Sequence, residues 1–206
     1  MAGSSPYGRQ AYSIGVEDRP RVIPPVPARG DMTTVTAQAV TSPPPGSVVR
    51  VNSYLLREAE MTRIDMAKVA PEAYRAVFAM EKYAQANVDH TVLELVKLRA
   101  SMLNGCSFCV DMHSRDALAA GEDSRRLFAV AAWREAPFFD ERERTALALT
   151  DAVTQLGQHG VPDEVWDAAA KVWSEKELAD LIIAIATINV WNRISVTSRT
   201  QPPLEV

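Results

Sequence analysis

Cysteine and histidine are scarce in this chain. Its 206 residues include two cysteines, Cys106 and Cys109, and three histidines, His90, His113 and His159. Two cysteines this close together shut too small a loop to brace a fold. A disulfide-stapled secreted domain is therefore excluded, and the pair reads as chemistry in a cytoplasmic protein. Long hydrophobic runs are missing as well, and none reaches the roughly 18 residues of a membrane span. The opening residues, MAGSSPYGRQ, lack the apolar stretch of a secretory signal. Charge of one sign is not in large excess. A formal net charge of −4 gives no reason to expect nucleic acid or an anionic membrane as partner. Apolar–polar alternation is nowhere sustained, so no sheet is expected.

Proline is sparse after residue 60. Eight of the 13 prolines precede it, among them Pro24, Pro25, Pro27, Pro43, Pro44 and Pro45. The apolar residues of this part show no period. Residues 1–58 are expected to be a disordered, proline-rich N-terminal extension, and 59–206 an all-helical domain. A start-like run, Met61-Thr62-Arg63, coincides with the onset of helical pattern.

From residue 62 the pattern is helical throughout. Pro71 opens a helix to about Ala86. Asp89 caps one that ends at Asn104-Gly105. The next starts at Cys106 or Ser107 and stops near Ala120. Asp123 or Ser124 caps a short helix to about Trp133. Asp140 to Gln158 forms a longer one, and Pro162-Asp163 opens another that ends near Trp173. Ser174-Glu175-Lys176-Glu177 reads as a capping box for a last helix to about Ile194. Leu181 to Trp191 is apolar except for Thr187 and Asn189, which predicts burial on all sides. In a domain of about 150 residues such burial is easier with a second subunit, so an oligomer is expected.

What is present is concentrated in Cys106-Ser107-Phe108-Cys109-Val110-Asp111-Met112-His113. At about 3.6 residues per turn, positions 106, 109 and 113 share one helical face. Two thiols and an imidazole at a helix start form a candidate redox centre. The unpaired N–H groups there favour a thiolate, and His113 can accept or shuttle a proton. A sulfenic acid formed on one sulfur would condense with the other to a disulfide. The same residues, with Val110, Ala117 and Ala120, also form an apolar stripe, which fits inert core cysteines. A third option is zinc on two Cys and one His, although no second C-x-x-C or H-x-x-x-H completes a structural site.

Glu94 lies on the preceding helix with Lys97, Ser101 and Asn104 on a polar face. Either that face is solvated and pairs Glu94 with Lys97, or it meets the cysteine helix and Glu94 hands protons to it. Arg99 and Arg193 read as surface or helix-end charges, and His90 and His159 as surface residues. Asn189 and Asn192 need partners if buried, and fit helix packing or a subunit contact better than substrate.

Taken together, Glu94, Leu98-Arg99-Ala100-Ser101, Asn104-Gly105-Cys106-Ser107-Phe108-Cys109, His113, Ala117 to Gly121 and Asn189-Val190-Trp191-Asn192-Arg193 resemble the AhpD-like alkylhydroperoxidase group of the carboxymuconolactone decarboxylase family. The resemblance runs from about Met61 to Thr200. It implies an all-α helical bundle in trimers or hexamers, and peroxide reduction without metal, flavin or haem. By position it implies Cys109 as the peroxidatic and Cys106 as the resolving cysteine, with Glu94 and His113 as a proton relay. A first-turn argument alone names Cys106 the lower-pKa thiol. The best-known member has a second histidine where this chain has Phe108, which removes one proton-transfer group and dries the site. The implied partners are a peroxide and a thiol or dithiol reductant, a lipoyl-bearing protein among them. The family also holds decarboxylases that act without a thiol pair, so a lyase or isomerase on a small cyclic acid is the alternative function. An oligomer with inert cysteines is a third.

Overall fold

Asp89, Asp123, Asp140 and Ser174 each cap a helix with a side-chain oxygen, and most of the expected helix starts follow from them. The computed structural model describes residues 62–203. Within them run α1 (Met66–Val69), α2 (Pro71–Asn87), α3 (His90–Asn104), α4 (Ser107–Ala119) and α5 (Ser124–Ala129). A 3-10 turn (Val130–Ala132), α6 (Glu141–Thr154), α7 (Asp163–Val172) and α8 (Glu175–Ser198) follow. The described residues contain no strand, only an isolated bridge between Gly157 and Gly160. The fold is all-α, as the sequence predicts. The extension expected at 1–58 lies outside the described residues.

Three boundaries differ from expectation. α6 ends at Thr154 rather than Gln158, because the chain turns into the Gly157–Gly160 bridge, with Gly160 at φ 69°. The helix expected through Trp133 stops at Ala129 and tightens into the 3-10 turn. α8 runs past Ile194 to Ser198, where Arg199 takes a left-handed φ of 57° and its N–H returns to the Ser195 and Val196 carbonyls.

The turn that matters most joins α3 to α4. Gly105 sits at φ 66°, a conformation that disfavours any side chain with a Cβ. The Gly105 amide bonds to Met102 O (3.2 Å) and that of Cys106 to Ser101 O (3.0 Å), which closes α3 and starts α4 at once. Cys106 thereby becomes the N-cap residue of α4, and Cys109 lies in its first turn.

α3 is the central helix and packs on α4, α6 and α8, while α2 lies along α8. One core cluster joins Leu93, Val96, Leu149, Leu181 and Ile185. A second joins Leu95, Leu98, Trp133, Phe139 and Leu147. A small third one holds both cysteines with Ala100 and Ile188, where α3, α4 and α8 meet.

By length and mean hydropathy alone, α8 (24 residues, 1.3) would suffice to cross a bilayer, contrary to the sequence reading. Half of its most apolar window is buried within this fold, however, and its polar side chains are bonded inside it. Asn189 Nδ2 donates to Thr154 Oγ1 at 3.0 Å, and Asn192 Nδ2 to Ser101 Oγ at 3.0 Å. These features make α8 a core helix. No residue from Leu181 to Trp191 is exposed, as its composition predicts.

Arg99 is not the surface charge expected. Its guanidinium grips Asp151 through Nε (2.5 Å) and Nη2 (3.2 Å), and Asp151 also accepts from Trp133 Nε1 and Arg134 Nη1. Removing one partner of a buried ion pair strands the other. Asp151→Ala is expected to cost about 3 kcal/mol of stability in urea unfolding, whereas an exposed pair costs at most about 1 kcal/mol.

Candidate functional site

Both cysteines are buried free thiols, Cys106 2% and Cys109 1% exposed. They pack together in one buried cluster. The Cys109 thiol, on the donor side toward Cys106, is the first reason why the Cys106 thiol falls to about 6. Burial opposes the fall, while the Cys109 amide and the Asn192 and Ser195 side chains add to it. Cys109 moves the other way. Its donated proton, burial and the charge on Cys106 all push it up. At neutral pH the pair therefore holds one proton between two sulfurs.

This ionisation couples to folding. An unfolded chain keeps a proton on each thiol up to about pH 8.5, whereas the folded pair sheds one near 6. Between those values the unfolded state binds more protons, so stability rises with pH and falls as pH drops through 6. Above the window the relation reverses, because Cys109 keeps its proton. Reduced protein should thus show a urea midpoint that climbs from pH 6 to 8, and Cys106→Ser should flatten the climb.

Beside the thiols lies a buried carboxylate–imidazole pair. Glu94 Oε2 is 2.8 Å from His113 Nδ1, and the residues are 5% and 4% exposed. Burial alone would raise the Glu94 carboxyl. Burial is the largest single influence, but the His113 hydrogen bond and the charges of His113, Lys97 and His90 together outweigh it and hold Glu94 below the usual carboxylate range. The other ring nitrogen of His113, Nε2, is buried without a hydrogen-bond partner. α3 and α4 bring Glu94, Cys109 and His113 to one cavity, while the fourth predicted residue, Cys106, packs beside Cys109 and faces elsewhere.

Cys109 and His113 open onto one cavity of about 250 Å³, with Glu94 and Lys97 also on its wall. Tyr74, Phe78, Phe108, Met112 and Trp191 form its apolar side. The Tyr74, Phe78 and Trp191 rings meet edge to face, with centroids 4.9–5.3 Å apart. Cys106 opens onto a different recess of about 140 Å³ with Ser107, Arg199 and Gln201. Phe108 thus stands on the apolar side of the Cys109 cavity, as its place between the cysteines implies.

Four residues of the site escaped the sequence reading. Lys97 was considered as part of a solvated face, yet it is 2% exposed. Its Nζ donates to Glu81 Oε1 at 2.5 Å and lies 3.5 Å from Glu94 Oε1. Glu81 comes from α2, far from any motif. Asn192 and Ser195, on α8, favour the ionised form of the thiols. Only Asn192 carried a signal, an amide on an apolar helix that needs partners. It also accepts from Asn104 Nδ2 at 2.9 Å.

Among the described residues, Glu94, His113 and Asp116 bring donor atoms within 4.8 Å of one another, a group that includes neither thiol. Glu94 Oε2 and His113 Nδ1 already satisfy each other there, His113 Nε2 stays unpartnered, and Asp116 is exposed.

The profile of the carboxymuconolactone decarboxylase family matches residues 71–152. An uncharacterized protein of Bacillus subtilis (strain 168), YdfG, is 38% identical over 135 residues, which are 65% of this chain and 92% of that protein. A crystal structure from Agrobacterium tumefaciens, of unknown function and described as a candidate antioxidant defence protein AhpD, is 42% identical with a TM-score of 0.68. It is covered over 99% of its length by 70% of this chain. The debrominase Bmp8 shares the fold at 22% identity and a TM-score of 0.60, with 65% of this chain covering 73% of it.

Proposed function

The chain belongs to the carboxymuconolactone decarboxylase family, in its AhpD-like group, and from that premise we propose that it is a thiol-dependent peroxidase working through Cys106 and Cys109. The observation that carries this reading is the buried free thiol pair beside the Glu94–His113 pair, with Cys109 and His113 in one cavity.

The charge rests on Cys106, and the peroxide meets Cys109. Passing the Cys109 proton to Cys106 or to His113 places the thiolate on the substrate side. Cys109 attacks one peroxide oxygen, the O–O bond breaks, and Cys109 becomes a sulfenic acid. The leaving alkoxide takes a proton from the His113–Glu94 pair. Cys106, releasing the proton if it took it from Cys109, then displaces hydroxide from the Cys109 sulfur as thiolate. That proton, or one from solvent where His113 took the first, makes water, and a disulfide remains. An external dithiol, for which a lipoyl-bearing protein is the candidate, takes the disulfide back to thiols. We place this activity in the cytoplasm and in a trimer or hexamer. A monodisperse monomer in light scattering would count against the assembly.

The lyase reading needs a base and an arginine for the anionic group of a cyclic acid. Among the described residues no arginine lines the Cys109 cavity; Glu81, Glu94 and Asp116 do, and the lysine there, Lys97, is bonded to Glu81. Arg99 is held by Asp151, and Arg193 bonds back to Asn189.

The test is thiol titration against pH, before and after one equivalent of cumene hydroperoxide. One thiolate near pH 6 and one intramolecular disulfide per chain are expected. Two ordinary thiols near pH 8.5 that ignore the peroxide would end the proposal.

A further inference from the structure

Glu94 lies at the wall of two cavities. One is the Cys109 chamber. The other, about 200 Å³, is formed by the start of α3, the end of α4 and α5, and it is lined by His90, Thr91, Ala120 and Glu122 among others. Neither cysteine nor His113 reaches this second cavity, and His90 does not reach the first. His90 is exposed and stands one turn before Glu94 on the same face of α3. Its charge acts on the Glu94 carboxyl.

We infer that the second cavity is a rear proton inlet, through which His90 passes protons from solvent to Glu94 and His113 while substrate fills the Cys109 chamber. The inference rests on the peroxidase reading and deepens it. The balance of the reaction explains the need. A pair that holds one proton reacts as thiolate plus thiol plus ROOH plus one proton, giving disulfide, ROH and water. That proton must come from outside the pair. The front of the chamber is walled by Tyr74, Phe78, Phe108, Met112 and Trp191, so an organic peroxide seated there excludes water. Glu94 is the carboxylate common to both cavities, and its Oε2 already touches His113. The other charged groups near it are Lys97 on α3, Glu81 on α2, and Asp116 and Glu122 at and beyond the end of α4.

The test uses His90→Ala, which removes the outer proton group, and Ala120→Phe, which fills the exposed mouth of the cavity. With saturating cumene hydroperoxide, single-turnover oxidation should slow about tenfold in each, less than the roughly 100-fold that a direct proton donor contributes. The solvent deuterium isotope effect should rise in both. Imidazole should restore His90→Ala and not Ala120→Phe. A pH jump followed by thiolate ultraviolet absorbance, with the chamber filled by the product alcohol of cumene hydroperoxide in place of peroxide, reads the same inlet, and protonation should slow in both variants. Wild-type rates, isotope effect and pH-jump relaxation in both variants would overturn the inlet. A wild-type protein that ignores peroxide while the variants still slow the pH-jump relaxation would keep the inlet and remove the peroxidase reading.

Discussion

Cys109→Ser is expected to reduce catalytic peroxide turnover to the uncatalysed level, a loss of at least about a thousandfold, because Cys109 is the thiol on the chamber wall. His113 and Glu94 move protons and cannot carry the oxygen atom away. Cys106→Ser behaves differently. It leaves Cys109 in the chamber, so one equivalent of peroxide should still be consumed, and the product should stop at a sulfenic acid that a dimedone-type probe traps. Turnover beyond one equivalent then fails because the second sulfur is missing. The assignment is open to reversal because charge and access select different sulfurs. The lowered Cys106 thiol favours the resting charge on that sulfur, but Cys109 shares the cavity with His113. A Cys109→Ser protein that still forms a sulfenic acid would exchange the two roles, and double Cys→Ser protein with full turnover would end the thiol mechanism.

The helices were legible because their ends are written locally. Asp89, Asp140, Ser174 and Gly105 fix where backbone groups lose their helical partners, and those signals survive any tertiary context. The thiol pair was legible for the same reason, since Cys106, Cys109 and His113 lie within two turns of one helix. Glu94 was recognised through the family's pattern, as spacing alone left it undecided between solvent and site. What stayed hidden depends on helices meeting at a distance. Lys97 lies three residues from Glu94, the spacing of an ordinary surface pair, and only the packing of α2 on α8 and of α3 against α4 and α8 turns that face inward. The aromatic wall is likewise assembled from α2, α4 and α8, and no segment alone shows it. The end of α6 was misplaced because Gly157 and Gly160 pair through a bridge that propensity does not encode.

Lys97→Met is the second substitution with a large expected effect, and it acts on stability and chemistry together. The ammonium sits between Glu81 and Glu94, at 2.5 and 3.5 Å, with side-chain exposures of 2% for Lys97, 12% for Glu81 and 7% for Glu94. Removing it leaves two buried carboxylates without the charge that offsets them, which costs about 3–5 kcal/mol. Glu94 is held low partly by Lys97, so its stabilising contribution is present at neutral pH and lost as pH falls through its folded value. Without Lys97 that folded value rises, and acid unfolding should begin at higher pH. Activity should fall about 100-fold, in the range of a lost acid–base group, with the acid limb of the pH–rate profile displaced upward in the folded fraction. Adding Glu81→Gln to Lys97→Met removes one of the stranded charges. It should recover most of the lost stability but little of the displaced acid limb, because Glu94 still lacks its cation. That divergence separates a residue that sets the charge of the relay from one that only fills space. If the single variant keeps both its urea midpoint and its acid limb, Lys97 contributes volume alone, and the His113 hydrogen bond by itself holds Glu94 ionised.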